Sequence, residues 1–174
     1  MKHRILQFFR QGSYHFQKPP EAFLNAYLKP EEVKLFHRLR RSEAYHAYLV
    51  ALGVAKEAES SAKAELVKMA LFHDIGKIQY RIGLGGKSAA VVLKKLLGEH
   101  LQRMERFPFV ASYLYHGEIG ERILRDRGIF EEAPYLYAVV GYHHKPQNLP
   151  ALNEEERKKA QAALALLKRH DDRY

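Results

Sequence analysis

Met69-Ala70-Leu71-Phe72-His73-Asp74-Ile75-Gly76-Lys77 is the stretch that decides how this chain is read. It runs from an apolar helix face into a polar pentapeptide. Imidazole nitrogen and carboxylate oxygen are natural ligands for zinc, iron and manganese where no thiolate is present. An adjacent His-Asp pair lets a carboxylate bridge two ions while the imidazole terminates on one. Further outward stand His46, His116, His143, His144 and Asp171, enough ligands for two ions rather than one. Two ions roughly 3.5–4 Å apart can share a hydroxide and clamp a phosphate between them. Lys77 is close enough in sequence to aim an ammonium at the phosphate oxygens, and Gly76 is expected to let the chain turn tightly there.

Around that centre the pattern is helical throughout, and alternating β-branched runs bounded by turns are missing. Residues 1 to about 10 suit a short amphipathic helix closed by Gly12. Pro19-Pro20 opens another through Tyr27, and Pro30-Glu31-Glu32 puts a proline and two acids in a first turn, where both are favoured. A break is predicted near Arg40–Ser42, with Ser42 as N-cap of the helix carrying His46. Ser60 or Ser61 is expected to cap the helix from Ala62 to about Phe72. Gly83-Leu84-Gly85-Gly86 reads as a loop. Helices are predicted from Lys87 to about Leu97, Phe109 to about Arg125 and Ala133 to Tyr142. The last begins at Asn153-Glu154-Glu155-Glu156 and runs to Asp171. The expectation is one all-α domain over 1–174, with residues 1–35 as an N-terminal extension packed on a core of 36–174.

The bulk numbers agree with a soluble globular protein. A chain of 174 residues, 47% hydrophobic and 28% charged, can bury its own core. No apolar run approaches the roughly 20 residues of a membrane span, and the N-terminus lacks a small-residue cleavage site after its apolar stretch. Cysteine is absent, which fits a reducing, cytoplasmic setting. The net charge of +9 is spread along amphipathic stretches such as Arg157-Lys158-Lys159. It reads as solvated helix faces or as a field that draws in a phosphorylated substrate. Nucleic-acid binding stays open, but no motif for it accompanies the charge and it is not favoured.

At these residues the sequence resembles the HD superfamily of metal-dependent phosphohydrolases, in the subgroup with a His-Asp-Ile-Gly motif. The likeness runs from about Arg41 to Asp171. Arg41-Ser42-Glu43-Ala44-Tyr45-His46 is similar to the first-histidine helix, and Met69 to Lys77 to the signature. His116-Gly117-Glu118-Ile119-Gly120 resembles the third-histidine segment, Tyr142-His143-His144 the paired histidines, and His170-Asp171 the closing aspartate. The resemblance implies an HD-domain helical bundle whose order His, His-Asp, His, His-His, Asp belongs to two-metal members. Its implied ligands are His46, His73, Asp74, His116, His143, His144 and Asp171, holding two divalent ions drawn from Fe, Mn, Zn, Ni or Co. Asp74 and Lys77 are the implied catalytic pair, on a nucleotide or other phosphate ester, with monoester and diester cleavage both open. Cyclic-di-GMP phosphodiesterases of this superfamily carry a glutamate where Ser42 stands, and a Gly-Tyr-Pro signature where Tyr80-Arg81-Ile82-Gly83 stands, so that substrate is not favoured.

Several residues stay open. His143 and His144 share one position, and one could ligate while the other meets substrate. Asp172 competes with Asp171, while His170 and Tyr174 read as bystanders. Arg81 and Lys87 are weaker candidates for substrate phosphate contacts. Glu118 reads as an exposed acid or as a partner orienting an imidazole. His3, His15, His37 and His100 have no spacing logic. The tyrosines at 113, 115, 135, 137 and 142 suit core packing. Two rival functions use the same residues: a mixed-valent diiron oxygenase, and a non-catalytic nucleotide-binding module.

Overall fold

A computed structural model describes residues 16–59, 61–80, 92–93 and 95–174. Its α-helices are α1 (Glu21–Tyr27), α2 (Pro30–Phe36), α3 (Arg41–Glu57), α4 (Lys63–Phe72), α5 (Pro108–Arg125), α6 (Tyr135–Tyr142) and α7 (Glu154–Asp171). Short 3-10 turns cover Ile75–Gln79, Gly98–Met104 and Pro146–Asn148. The fold is an all-α bundle, with no strand among the described residues. The expected helix at the N-terminus, the Gly83–Gly86 loop, Arg81 and Lys87 lie outside the described residues.

The apolar stripes set which faces meet. On α3 the buried positions Glu43, His46, Ala47, Val50, Gly53 and Val54 recur every three or four residues, so one face carries both the core and the first histidine. Helix α7 does the same with Ala160, Ala163, Leu164, Leu167 and His170. Helix α6 is buried at every position from Leu136 to Gly141, the pattern of a central helix. It packs on α4, α5 and α7, while α3 packs on α4 and α7. Helix α4 thus meets α3 and α6, and the 3-10 turn that follows it lies on α5. Phe72 at the end of α4 is fully buried and meets Phe36 edge to face at 6.4 Å; truncating such a ring to alanine costs about 3–5 kcal/mol.

Helices α1 and α2 join the same apolar cluster through Leu24, Leu28, Leu35 and Phe36. Glu32 ties them down from its polar side. Its carboxylate accepts from the Lys29 backbone N–H at 2.7 Å and from Lys68 Nζ on α4 at 3.1 Å, with both side chains nearly buried. Removing Glu32 would leave the nearly buried Lys68 only the looser contact with Glu65 at 4.0 Å, and breaking such a pair costs about 3–5 kcal/mol.

Two expected caps move. Helix α3 begins at Arg41 with Arg40 as N-cap, and Glu43 reaches back to the Arg40 N–H at 3.3 Å; Ser42 sits buried inside the first turn. A glutamate at the third helical position satisfies the orphan donor from within, so no capping hydroxyl is needed. Helix α4 starts at Lys63 after Ala62, with no side-chain cap. Asn153 caps α7 as expected, accepting from the Glu156 N–H at 2.8 Å.

Candidate metal centre

The polar cluster forms where α4 ends. His73 closes that helix and Asp74 leads into the 3-10 turn Ile75–Gln79, which lies against α5. His46 arrives from α3, His116 from α5, His143 and His144 from the end of α6, and Asp171 from the last residue of α7. His46, His73, Asp74, His116 and His143 are buried, Asp171 is partly buried, and His144 lies exposed at the edge.

Asp74 stands at the middle. Its Oδ1 lies 3.3 Å from His116 Nε2 and 3.9 Å from His143 Nε2. Its Oδ2 lies 3.5 Å from His73 Nε2 and pairs with Lys77 Nζ. Asp171 Oδ1 lies 2.9 Å from His46 Nε2 and 3.6 Å from His73 Nε2. Side-chain ligand atoms fall into two groups, His46 with His73 and Asp74, and Asp74 with His116, His143 and His144. Asp74 belongs to both.

The backbone aims the rings. The Nδ1–H groups of His73, His116 and His143 donate to the carbonyls of Ala70, Ser112 and Val140, at 2.8, 2.9 and 2.7 Å. A carbonyl three or four residues back on the same helix fixes the tautomer and turns the Nε2 lone pair into the cluster. Those three Nε2 atoms, and Asp74 Oδ1, are buried with no hydrogen-bond partner in the protein. Leaving one buried polar atom unsatisfied costs about 1–3 kcal/mol, and here four lie in one cluster around Asp74. A cation is the group that satisfies lone pairs from several sides at once. The donor set, imidazole and carboxylate without thiolate, suits a divalent transition metal.

The electrostatics follow from the crowding. Burial opposes the charge on Asp74, yet Lys77, His73 and His116 outweigh it and hold the carboxyl well below its usual range. Asp171 is likewise held low against burial, by its hydrogen bond to His46 and by the nearby His73. Burial pushes His73 down, but Asp74 and Asp171 overcome it and raise the imidazole. Lys77 is raised, because Asp74 and Glu43 outweigh its own desolvation. On the other side, burial and the neighbouring histidines push His143 well down. His144 falls to about 4 through desolvation of its ring and the nearby His116.

Glycines allow the close approach. A Cβ at Gly76 would stand 1.9 Å from the His116 carbonyl oxygen, and one at Gly117 would stand 2.3 Å from that of Gly141. The first lets the 3-10 turn lie directly on α5; the second lets α5 and α6 cross where His116 and His143 must meet. Gly76 has no positive φ, so its role is this contact and not the tight turn expected from sequence. A Cβ at Gly53 would strike the His170 ring at 2.3 Å. His170, read as a bystander, is buried on α3 next to Asp171.

The other candidates separate. Asp172 is exposed at the C-cap of α7, while Asp171 faces the cluster. Glu118 holds no imidazole: it accepts from Lys145 Nζ at 2.8 Å, and the same ammonium donates to the Leu114 carbonyl at 2.9 Å. His37 pairs with Glu21 on the surface at 3.2 Å, and His100 is exposed. Tyr137 packs in the core with its hydroxyl accepting from the Phe130 N–H at 3.1 Å. The sequence reading passed over Glu43, buried and near enough to act on Lys77, and over Gly117 and Gly141. A glycine beside His116 and another two before His143 were the available signal.

The chain belongs to the HD domain family, whose model matches residues 44–173. That span runs from the first turns of α3 to the residues just after Asp171, so it includes every member of the cluster. The family consists mostly of metal-dependent phosphohydrolases, and its domains bind divalent metals. No curated protein and no solved structure matches the chain significantly. No helix among the described residues is long and apolar enough to cross a membrane.

Proposed function

We propose that this protein hydrolyses a nucleotide or similar phosphate ester at a dinuclear metal site. The observation that carries the reading is Asp74, one carboxylate common to both groups of ligand atoms. His46, His73, Asp74 and Asp171 would hold one ion, and Asp74, His116, His143 and His144 the other. Two divalent ions at such a site supply a nucleophile at neutral pH and neutralise charge on the phosphoryl oxygens.

The chain's own residues do the rest. The carbonyls of Ala70, Ser112 and Val140 keep three imidazoles in one tautomer and one orientation, so no reorganisation accompanies binding. Lys77 fixes an ammonium beside Asp74, partly open to solvent, where it can meet phosphoryl oxygens as their charge grows. His144, at the open edge and neutral near pH 7, completes the ligand set or hydrogen-bonds the substrate. The positive net charge favours arrival of a phosphorylated small molecule.

The test is a panel of phosphomonoesters and phosphodiesters assayed with added zinc, manganese, cobalt, nickel or ferrous iron. Release of phosphate or cleavage of a diester with at least one metal is expected. Two bound irons with dioxygen consumption and no phosphate release would establish the oxygenase instead. Tight nucleotide binding without turnover in every metal would establish a binding module.

A further inference from the structure

One face of α7 continues away from the metal centre. Counting back from Asp171, residues Lys168, Leu164 and Gln161 recur at three- and four-residue steps, so they share its side of the helix. At 1.5 Å per residue they lie about 4.5, 10.5 and 15 Å along the axis from Asp171. With Ala165 they form one wall of a pocket of about 270 Å³. The opposite wall is Pro146, Leu149 and His143, so His143 faces both the pocket and the metal cluster.

The order of chemistry along this wall is specific. Nearest the centre is an exposed lysine with no carboxylate partner among the described residues. An apolar floor follows in Leu164 and Ala165, faced by Leu149 and Pro146. Farthest out is an exposed amide, able both to donate and to accept. The volume lies near the lower limit for small-molecule sites, about 300 Å³, which suits one ring system with its sugar.

We propose that this pocket holds the nucleoside half of the substrate, its base over Leu164 and Ala165, its polar edge toward Gln161, and Lys168 beside the anionic linkage. The proposal rests on the hydrolase reading for the placement of the phosphate at His143 and Asp171. The pocket itself can be probed without metal.

The experiment uses the full chain and three variants: Ala165→Trp to fill the pocket from an exposed position, Gln161→Ala and Lys168→Gln. Adenosine is added to the metal-free protein and followed by ligand-observed NMR, and adenosine monophosphate and p-nitrophenyl phosphate are assayed with metal. Adenosine binding is expected in the original chain and at least tenfold weaker in Ala165→Trp. The ratio of kcat/KM for adenosine monophosphate to that for p-nitrophenyl phosphate should fall about tenfold in Ala165→Trp, chiefly through KM, and less in the other two. Adenosine binding that is absent, or unchanged by Ala165→Trp, overturns the pocket assignment, as does an unaltered ratio in all three variants. Adenosine binding lost in Ala165→Trp, in a chain that hydrolyses no ester, sinks the hydrolase reading and leaves the pocket standing.

Discussion

The two halves of the candidate metal centre are built differently. The half on α3 and α7 is rich in charge: His46 and Asp171 face each other at 2.9 Å, and His73 lies about equally far from Asp74 and Asp171. Its imidazole at 73 is raised as a result. The half on α5 and α6 is rich in neutral nitrogen. The rings of His143 and His144 lie 4.0 Å apart by centroid and those of His116 and His144 4.9 Å, with Asp74 the one carboxylate they share. There, burial and mutual repulsion push His143 and His144 down. One half attracts a cation with two carboxylates, and the other offers lone pairs that depend on Asp74 for charge.

That contrast ranks the substitutions. Asp74→Ala should empty both halves, taking phosphate release to background and metal content close to zero; elemental analysis showing one retained ion would break the idea of a shared carboxylate. Asp171→Ala should strip only the charge-rich half, so metal content falls by one ion per chain while His116 and His143 keep the other. Equal loss from both halves would show that they are not separable. Lys77→Ala should leave metal content intact and lower kcat about 10²-fold, and unchanged kinetics would remove its phosphate role. Gly117→Ala forces a methyl against the Gly141 carbonyl and should cost about 1–3 kcal/mol, read as a lowered thermal midpoint. His144→Ala should have the smallest effect, a loss of metal affinity of about tenfold, because its ring lies at the exposed edge; an effect exceeding that of His143→Ala would reverse their order.

The members of the candidate site were legible in the sequence because residue type and order carry them: His-Asp at 73–74 after an apolar run, the spaced histidines, and an aspartate at the end of an amphipathic helix. The helical class was equally plain from the apolar periodicity of α5 and α7. What escaped reading depends on distance in space. Ser42 as a cap and Ser42 inside a turn look alike by residue type; the neighbouring Glu43 decides it by reaching back to Arg40. Glu118 beside a histidine read as an exposed acid or as an imidazole partner, and Lys145, 27 residues on, takes it. Gly76 looked like a turn residue, and only the position of the His116 carbonyl shows why a side chain has no room there. The wall of α7 below Asp171 is visible as a stripe, but its pocket exists only once the Pro146–Asn148 turn lies opposite.

The number of ions per chain is the most direct test of a carboxylate shared between two sites. Calorimetric titration of metal-stripped protein with manganese should show two equivalents bound, the second lost in Asp171→Ala and both lost in Asp74→Ala. Saturation of the original chain at one equivalent would contradict it.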